Sequence, residues 1–216
     1  MKNLFITIEG IDGCGKDTQI LALSSLIRKK GELNIGNKYN NLWITREPTQ
    51  MTTEGNKLFK IMNSKEKPDP STILECYIED RIIHTRTIKE VLKHSHIVCS
   101  RYDLSTFAYQ ATQGFSFEEM YNLHRYEKQN TLIPDITIVL DISAEISLKR
   151  AEQRPDEDGI KFFEKLDILK KIEAKQREAI KWWNNKDPSR KFAIIDASKT
   201  PNEVTNEIIE MLNSKF

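Results

Sequence analysis

Glycine and proline are scarce, 8 and 7 of 216 residues, about half the combined share of roughly 12% in an average chain. That excludes collagen-like, low-complexity and linker-dominated architectures. Cysteine is scarcer still: Cys14, Cys76 and Cys99 are odd in number, widely spaced and without a CxxC pair. A disulfide framework and a zinc knuckle are both disfavoured, and a reducing, cytoplasmic setting fits. Long apolar runs are missing too. The first, Leu4 to Ile8, is ended by Glu9, too short for a signal-peptide core or a membrane span, and no later segment approaches a span. A charge excess is also lacking, since 33 basic against 32 acidic residues leave a formal charge of +1. Nothing global therefore argues for nucleic-acid or membrane partners, and function has to reside in a local site. The length fits one domain, residues 1–216, able to bury roughly 70% of the surface its unfolded chain exposes.

What is present begins with a cluster. Three of the 8 glycines, Gly10, Gly13 and Gly15, fall within six residues. Leu4 to Glu9 reads as a buried strand before them, and apolar residues recur at helical spacing from Thr18 to about Lys30 after them. Further strands are expected at Leu42–Thr45, His96–Cys99, Ile136–Leu140 and Phe192–Ile195. Helices are expected from Ser71, read as a cap, through Leu92, over Ser143–Gln153, over Phe162–Trp183, and from Pro201 to Leu212. The polar stretch Arg154 to Gly159 reads as a mobile loop. Adjacent Trp182 and Trp183 cannot both face one side of a helix, so one is expected to meet a partner or the flank of the sheet. Five short strands alternating with helices imply an α/β fold, a mostly parallel sheet covered on both faces, with ligands bound beyond the carboxyl ends of the strands.

The run Gly10-Ile11-Asp12-Gly13-Cys14-Gly15-Lys16-Asp17-Thr18 lies between the first strand and a helix start, where a phosphate-binding loop belongs. Glycines let backbone N–H groups converge on phosphate oxygens, the helix start adds a favourable dipole, and Lys16 reaches the β and γ phosphates. The spacing matches GxxxxGK but departs at Asp17, where Ser or Thr normally ligates Mg²⁺. The alternative is a tight turn with a solvated lysine. Cys14 reads as a small residue filling the loop rather than a nucleophile.

With TREPT at Thr45–Thr49, SRYDLSTFAYQ at Ser100–Gln110, PDITIVLD at Pro134–Asp141, LKRA at Leu148–Ala151 and IDASKT at Ile195–Thr200, the chain resembles the thymidylate kinase family along nearly its whole length. The resemblance implies a P-loop NTPase of the nucleoside monophosphate kinase type. Its five-stranded parallel sheet is flanked by helices, with a lid segment at about 150–162. It also implies transfer of the ATP γ-phosphate to dTMP with Mg²⁺, usually by a homodimer. Carried over by position, residues 10–18 bind ATP, with Lys16 catalytic and Arg150 packing near the donor nucleotide. Asp12 sits beside the acceptor sugar and phosphate, and Arg101 and Arg46 lie at the acceptor phosphate. Tyr77 stacks on thymine, Arg81 binds its O4, Thr106 contacts the base, and Tyr109 helps exclude a ribose 2′-hydroxyl.

From spacing alone, Tyr77 and Arg81 at i and i+4 make a base-reading platform. The competing reading is a core tyrosine and a surface pair of Arg81 with Glu47 or Glu79. Arg46 likewise has an alternative as a surface partner of Glu47, and Arg150 one as part of a solvated helix face.

Two departures from the family pattern stand out. The aspartate that ends the third strand in the family is Ser100 here. An exchange is expected in which Asp17 supplies the metal-side carboxylate and Ser100 the hydroxyl; the alternative leaves Asp17 in solvent and gives the hydroxyl work to Thr18. The arginine that neutralises the transferring phosphoryl group is not in the loop, where Gly13 stands. Nor is it after Asp158, where Gly159 stands. Arg154 is the nearest candidate, with Lys161 behind it, though Arg154 is equally placed to complete a helix dipole. Rival readings are a kinase for another pyrimidine monophosphate such as dUMP, and a nucleotide-binding protein that has lost phosphoryl transfer. A switch GTPase is disfavoured because the chain contains no NKxD sequence.

Overall fold

Five strands, β1 (Phe5–Glu9), β2 (Leu42–Arg46), β3 (His96–Ser100), β4 (Ile136–Asp141) and β5 (Phe192–Asp196), form one parallel sheet in the order β2-β3-β1-β4-β5. The computed structural model describes residues 2–30, 41–62, 69–128, 130–153 and 165–215. Every residue of β1 and β3 is buried, as a parallel strand covered on both faces requires. The register sets Ile8 of β1 beside Ser100 of β3 and Ile138 of β4. The strand order reverses around β1: the chain leaves β1 for β2 beyond β3, then leaves β3 for β4 on the other side of β1. The segments that follow β1 and β3 therefore emerge side by side at a topological switch point, where such sheets bind ligands.

The helices are α1 (Lys16–Lys30), α2 (Thr53–Met62), α3 (Pro70–Val91), α4 (Asp103–Ala111), α5 (Phe117–His124), α6 (Ala144–Glu152), α7 (Leu166–Lys186) and α8 (Pro201–Lys215). The cap of α3 is Asp69, not Ser71: its carboxylate accepts from the Thr72 amide, Pro70 takes the first turn, and the Ser71 hydroxyl donates to Asp69. Ser143, where a helix was expected to begin, caps α6, accepting from the Ile146 amide. Helices α2, α4 and α5 go beyond the individual elements expected from the sequence; α2 and α5 each bury a single apolar side chain, Leu58 and Met120, too few to set a helical period.

Helices α1 and α8 pack on each other, as do α4 and α7, and α2 and α3. The main core gathers Ile6, Ile8, Ile138 and Leu140 from the sheet with Leu23, Leu169 and Ile208 from the helices. Trp182 and Trp183 do not part as expected. Both enter one aromatic cluster, with ring centroids 5.7 and 5.4 Å from Phe107, Trp183 fully buried and Trp182 partly so. Beside it, Asp103 and Arg190 form a fully buried bidentate ion pair at 2.7 and 2.9 Å, with the Arg190 guanidinium stacked on Trp183.

Candidate active site

The glycine cluster forms the floor of a cleft of about 1250 Å³ at the carboxyl ends of β1 and β3. Its backbone demands glycine. Gly10 and Gly13 have φ of 147° and 85°. A Cβ at Gly10 would lie 2.6 Å from Cys14 Sγ, and one at Gly13 only 2.4 Å from the Ser147 carbonyl of α6. Ser147 in turn donates its hydroxyl to the Asp12 carbonyl, fastening the loop to α6. Cys14, 2% exposed, fills the space under Gly10, the packing role expected for it. Lys16 Nζ donates to the carbonyls of Gly10 and Ile11 at 3.0 and 2.9 Å. Burial first, and the nearby Arg101 guanidinium second, push its ammonium below the ordinary lysine range. Gly15 and Ile11 complete the loop, and Asp17 and Thr18, both exposed, open α1 on the cleft wall.

Arg101 stands where β3 gives way to α4, with φ of 62°, a left-handed conformation rare outside glycine. Both flanks hold it there. Its own amide donates to the Ile8 carbonyl at 3.0 Å, and the next amide, of Tyr102, donates to Glu9 Oε1 at 2.8 Å. Glu9 Oε2 also accepts the Ser105 hydroxyl at 2.5 Å. Burial raises the Glu9 carboxyl above its ordinary range, and the Ser105 bond only partly offsets that. Strained backbone at a cleft is a mark of a working site. The Arg101 guanidinium pairs with Asp12, lies over the Tyr109 ring at 5.5 Å, and is 3.5 Å from the Tyr109 hydroxyl. That hydroxyl donates to Asp12 Oδ2 at 2.9 Å. Burial, the largest single influence, opposes the charge on Arg101, but Asp12 together with smaller contributions from Tyr109, Cys14 and Glu9 outweighs it, so the guanidinium stays protonated.

Farther along the cleft, Tyr77 is half-buried and Arg81 only 1% exposed, both on the cleft wall. Arg81 Nε donates to Glu47 Oε2 at 2.7 Å, and Nη2 donates to Thr106 Oγ1 at 3.0 Å. Its pair with Glu47 thus exists as the alternative reading expected, but it is buried rather than at the surface, and it leaves Arg81 lining the cleft. The second oxygen of Glu47 accepts His84 Nδ1–H at 2.9 Å, and Asp80 accepts from the Thr49 amide and the Thr49 and Thr52 hydroxyls. The segment after β2 is thereby clamped onto α3. Glu47 being taken, Arg46 does not pair with it; Arg46 is exposed and lines the cleft. Gln110, one turn beyond Thr106, lies in the same wall, 2% exposed, with Oε1 lacking a partner among the described residues.

At the other end Arg150 is no solvated side chain: Nη1 and Nη2 donate to the carbonyls of Ala197 and Ser198 at 2.8 and 3.3 Å, beside Lys199 and Pro201. Arg154, Gly159 and Lys161, and most of the expected lid, lie outside the described residues.

Glu9, Glu47, Gln110 and His124, which touches Arg81, were not singled out as site residues. Glu9 and Glu47 carried a signal, an acidic residue at or just past the end of a strand. Gln110 closes a quoted motif, and for His124 there was none.

Among the described residues no group of three or more His, Cys, Asp or Glu side chains is gathered for a metal. Asp17 and Thr18 offer hard oxygen donors at the mouth of the phosphate loop. That suits Mg²⁺, which is held by one or two carboxylates together with substrate phosphates and water rather than by a protein cage. The three cysteines are buried and free, and no described helix is long and apolar enough to cross a membrane.

Comparison with known proteins agrees with this geometry. The family model described as thymidylate kinase matches residues 8–208. A probable thymidylate kinase of Methanocaldococcus jannaschii is 36% identical over 98% of this chain and 97% of its own. A thymidylate kinase of Prochlorococcus marinus subsp. pastoris is 37% identical over 100% of this chain and 97% of its own. Matched along nearly its whole length in this way, the chain belongs to the thymidylate kinase family, the enzymes that phosphorylate dTMP.

Proposed function

We propose that the two ends of the cleft hold the two nucleotides of one reaction, transfer of the ATP γ-phosphate to dTMP to give ADP and dTDP. ATP lies with its phosphates along residues 10–18 and its base toward Arg150. dTMP lies between Tyr77, Arg81, Thr106 and Tyr109, with its phosphate toward Arg46 and Arg101.

One observation carries the acceptor assignment. Arg81 has only N–H donors, and one turn past its Thr106 partner Gln110 has a buried carbonyl oxygen lacking a partner among the described residues. Thymine presents a carbonyl acceptor beside an N–H donor along one edge, the complement of that pair. Cytosine presents an amino donor there, which a guanidinium cannot accept.

Catalysis on this reading is positioning and charge neutralisation without a covalent intermediate. A phosphate oxygen of dTMP bonds to the γ-phosphorus as the bond to the ADP oxygen breaks. Lys16 and Arg101 offset the negative charge, Asp12 orients Arg101 and the acceptor, and Arg154 is the arginine proposed to come from the lid. Asp17 and Thr18 would hold Mg²⁺, which supplies charge neutralisation at the ATP phosphates.

The enzyme is proposed to be cytoplasmic and to work as a homodimer. Ile83 of α3 and Leu123 of α5, 36% and 39% exposed, supply apolar surface for the second copy. Purified protein is incubated with ATP, Mg²⁺ and dTMP, dUMP, dCMP or TMP in turn, and ADP release is followed. Rapid turnover with dTMP alone is expected. Equal turnover with dCMP overturns the base assignment, equal turnover with dUMP or TMP overturns the preference for dTMP, and turnover with none overturns the reaction.

A further inference from the structure

The Arg81 guanidinium is buried among partners that leave it little freedom. Its plane lies with Cζ 5.0 Å from the centre of the Tyr102 ring. Glu47 takes Nε and Thr106 takes Nη2. Nη1 is 2.5 Å from His124 Nε2. Of the five N–H groups, three are thus engaged, one on each nitrogen, which leaves one on each terminal nitrogen for a ligand.

The partners of His124 decide how its ring is protonated. His124 Nδ1 is 2.5 Å from the Met120 carbonyl oxygen, which can only accept, so Nδ1 carries the proton. Arg81 can only donate, so Nε2 presents a lone pair to it. The ring is held edge-on to this task by Tyr126, stacked at 5.2 Å, and by Phe107 at 5.6 Å. Burial first, and the Arg81 charge second, push the imidazole down to about 3, so it stays neutral wherever the fold survives. Glu47 and Thr106 alone would fix one edge of the guanidinium; His124 fixes the opposite terminal nitrogen.

We propose that His124 is a specificity-determining positioning residue, a neutral acceptor that aims the free N–H groups of Arg81 at the carbonyl edge of the acceptor base. The inference rests on Arg81 reading the base, as proposed above. Without the acceptor, Nη1 keeps a buried donor unpaired, the planar guanidinium turns as a whole to find another, and the donor direction toward the base is lost. The cost falls on binding of the acceptor nucleotide, since neither the phosphate loop nor Arg101 touches this pair.

Two variants and one measurement on the unaltered protein test it. His124→Phe keeps the ring and its stacking but removes the acceptor. It is expected to raise KM for dTMP about tenfold or more, with kcat and KM for ATP within about twofold. His124→Gln, whose Oε1 reaches the place of Nε2, is expected to restore most of the lost affinity. A purely structural role predicts the reverse pattern, with Phe tolerated and Gln harmful.

In the wild-type protein, nitrogen NMR of labelled histidine is expected to show His124 protonated at Nδ1 only. Its Nε2 resonance is expected to shift on adding dTMP and to stay in place on adding a non-hydrolysable ATP analogue. An unchanged KM for dTMP in His124→Phe, a proton on Nε2, or an Nε2 signal indifferent to dTMP each overturns the inference. Should His124→Phe fail to fold, the Gln variant and the NMR result decide. Absence of any dTMP turnover by the wild-type enzyme is a different failure, that of the base reading itself, and the inference falls with it.

Discussion

Asp12 and Arg101 are ion-paired across the mouth of the cleft, although 89 positions separate them in the chain. The parallel pairing of β1 with β3 brings them together, and Tyr109 closes the triangle by donating to the other Asp12 oxygen. The pair is partly exposed, with side chains 25% and 20% accessible, so its worth to stability is small, about 0–1 kcal/mol. Its value lies in orientation. Asp12→Ala is expected to lower kcat about 100-fold or more while moving the melting temperature little; steady-state kinetics and thermal unfolding check both halves.

Gly13 sits too close to α6 for any side chain. Gly13→Ala is expected to cost about 1–3 kcal/mol through its positive φ alone, and more through the contact with the Ser147 carbonyl. ATP affinity falls with it, read by calorimetry, and stability by urea unfolding. The same contact explains why no arginine is supplied from this loop position: Gly13→Arg is expected to fail in the same way rather than to add charge at the reaction centre.

Asp17 is exposed at the start of α1, and Ser100 is buried at the end of β3. If the two have exchanged metal-side roles, Asp17→Ser reduces Mg²⁺-dependent turnover severely, and Asp17→Ser with Ser100→Asp recovers it. The titration of activity against Mg²⁺ is the measurement. Full activity in the single variant removes the exchange and returns the hydroxyl role to Thr18.

Arg154 follows α6 in the expected lid. Arg154→Ala is expected to lower kcat by about 10³-fold with ATP affinity nearly unchanged, the signature of an interaction made only as the phosphoryl group transfers. Equal loss in both parameters assigns it to ATP binding, and no loss assigns it to the helix terminus.

Asp103 and Arg190 carry an acid sensitivity. Burial alone would raise the Asp103 carboxyl, but the Arg190 guanidinium holds it below its ordinary range. A depressed pKa in the folded state contributes stability that is fully present above the unfolded value, roughly 3.9, and is lost as pH falls through the folded value. Urea midpoints measured from pH 6 down to 3 are expected to drop at the acid end. Asp103→Asn flattens that limb and lowers stability by about 3–5 kcal/mol, because Arg190 is left as an uncompensated buried charge.

The strands, the phosphate loop and the order of the main helices are legible in the chain because each is a local pattern. A buried strand is a short run of Ile, Val and Thr, and a phosphate loop is glycines at fixed offsets before a helix. Helices α2 and α5 were blurred because one buried apolar side chain in each, Leu58 and Met120, gives no period to separate from a loop. Gly10, Gly13, Lys16 and Arg101 could be named from spacing and resemblance. What Arg101 does with its backbone could not, since its left-handed φ is imposed by Ile8 and Glu9 of another strand.

The amino-acid order alone determined the α/β class, from five short apolar strands alternating with helical patterns, and singled out the glycine loop, whose spacing sits within a dozen consecutive residues. Tertiary structure decided the chemistry around the loop. Glu47, Thr106 and His124 meet Arg81 across sequence separations of 34, 25 and 43 residues. No local pattern encodes such meetings. They exist because a parallel sheet places segments far apart in sequence at one edge, and because a buried guanidinium is stable only where distant partners satisfy its donors.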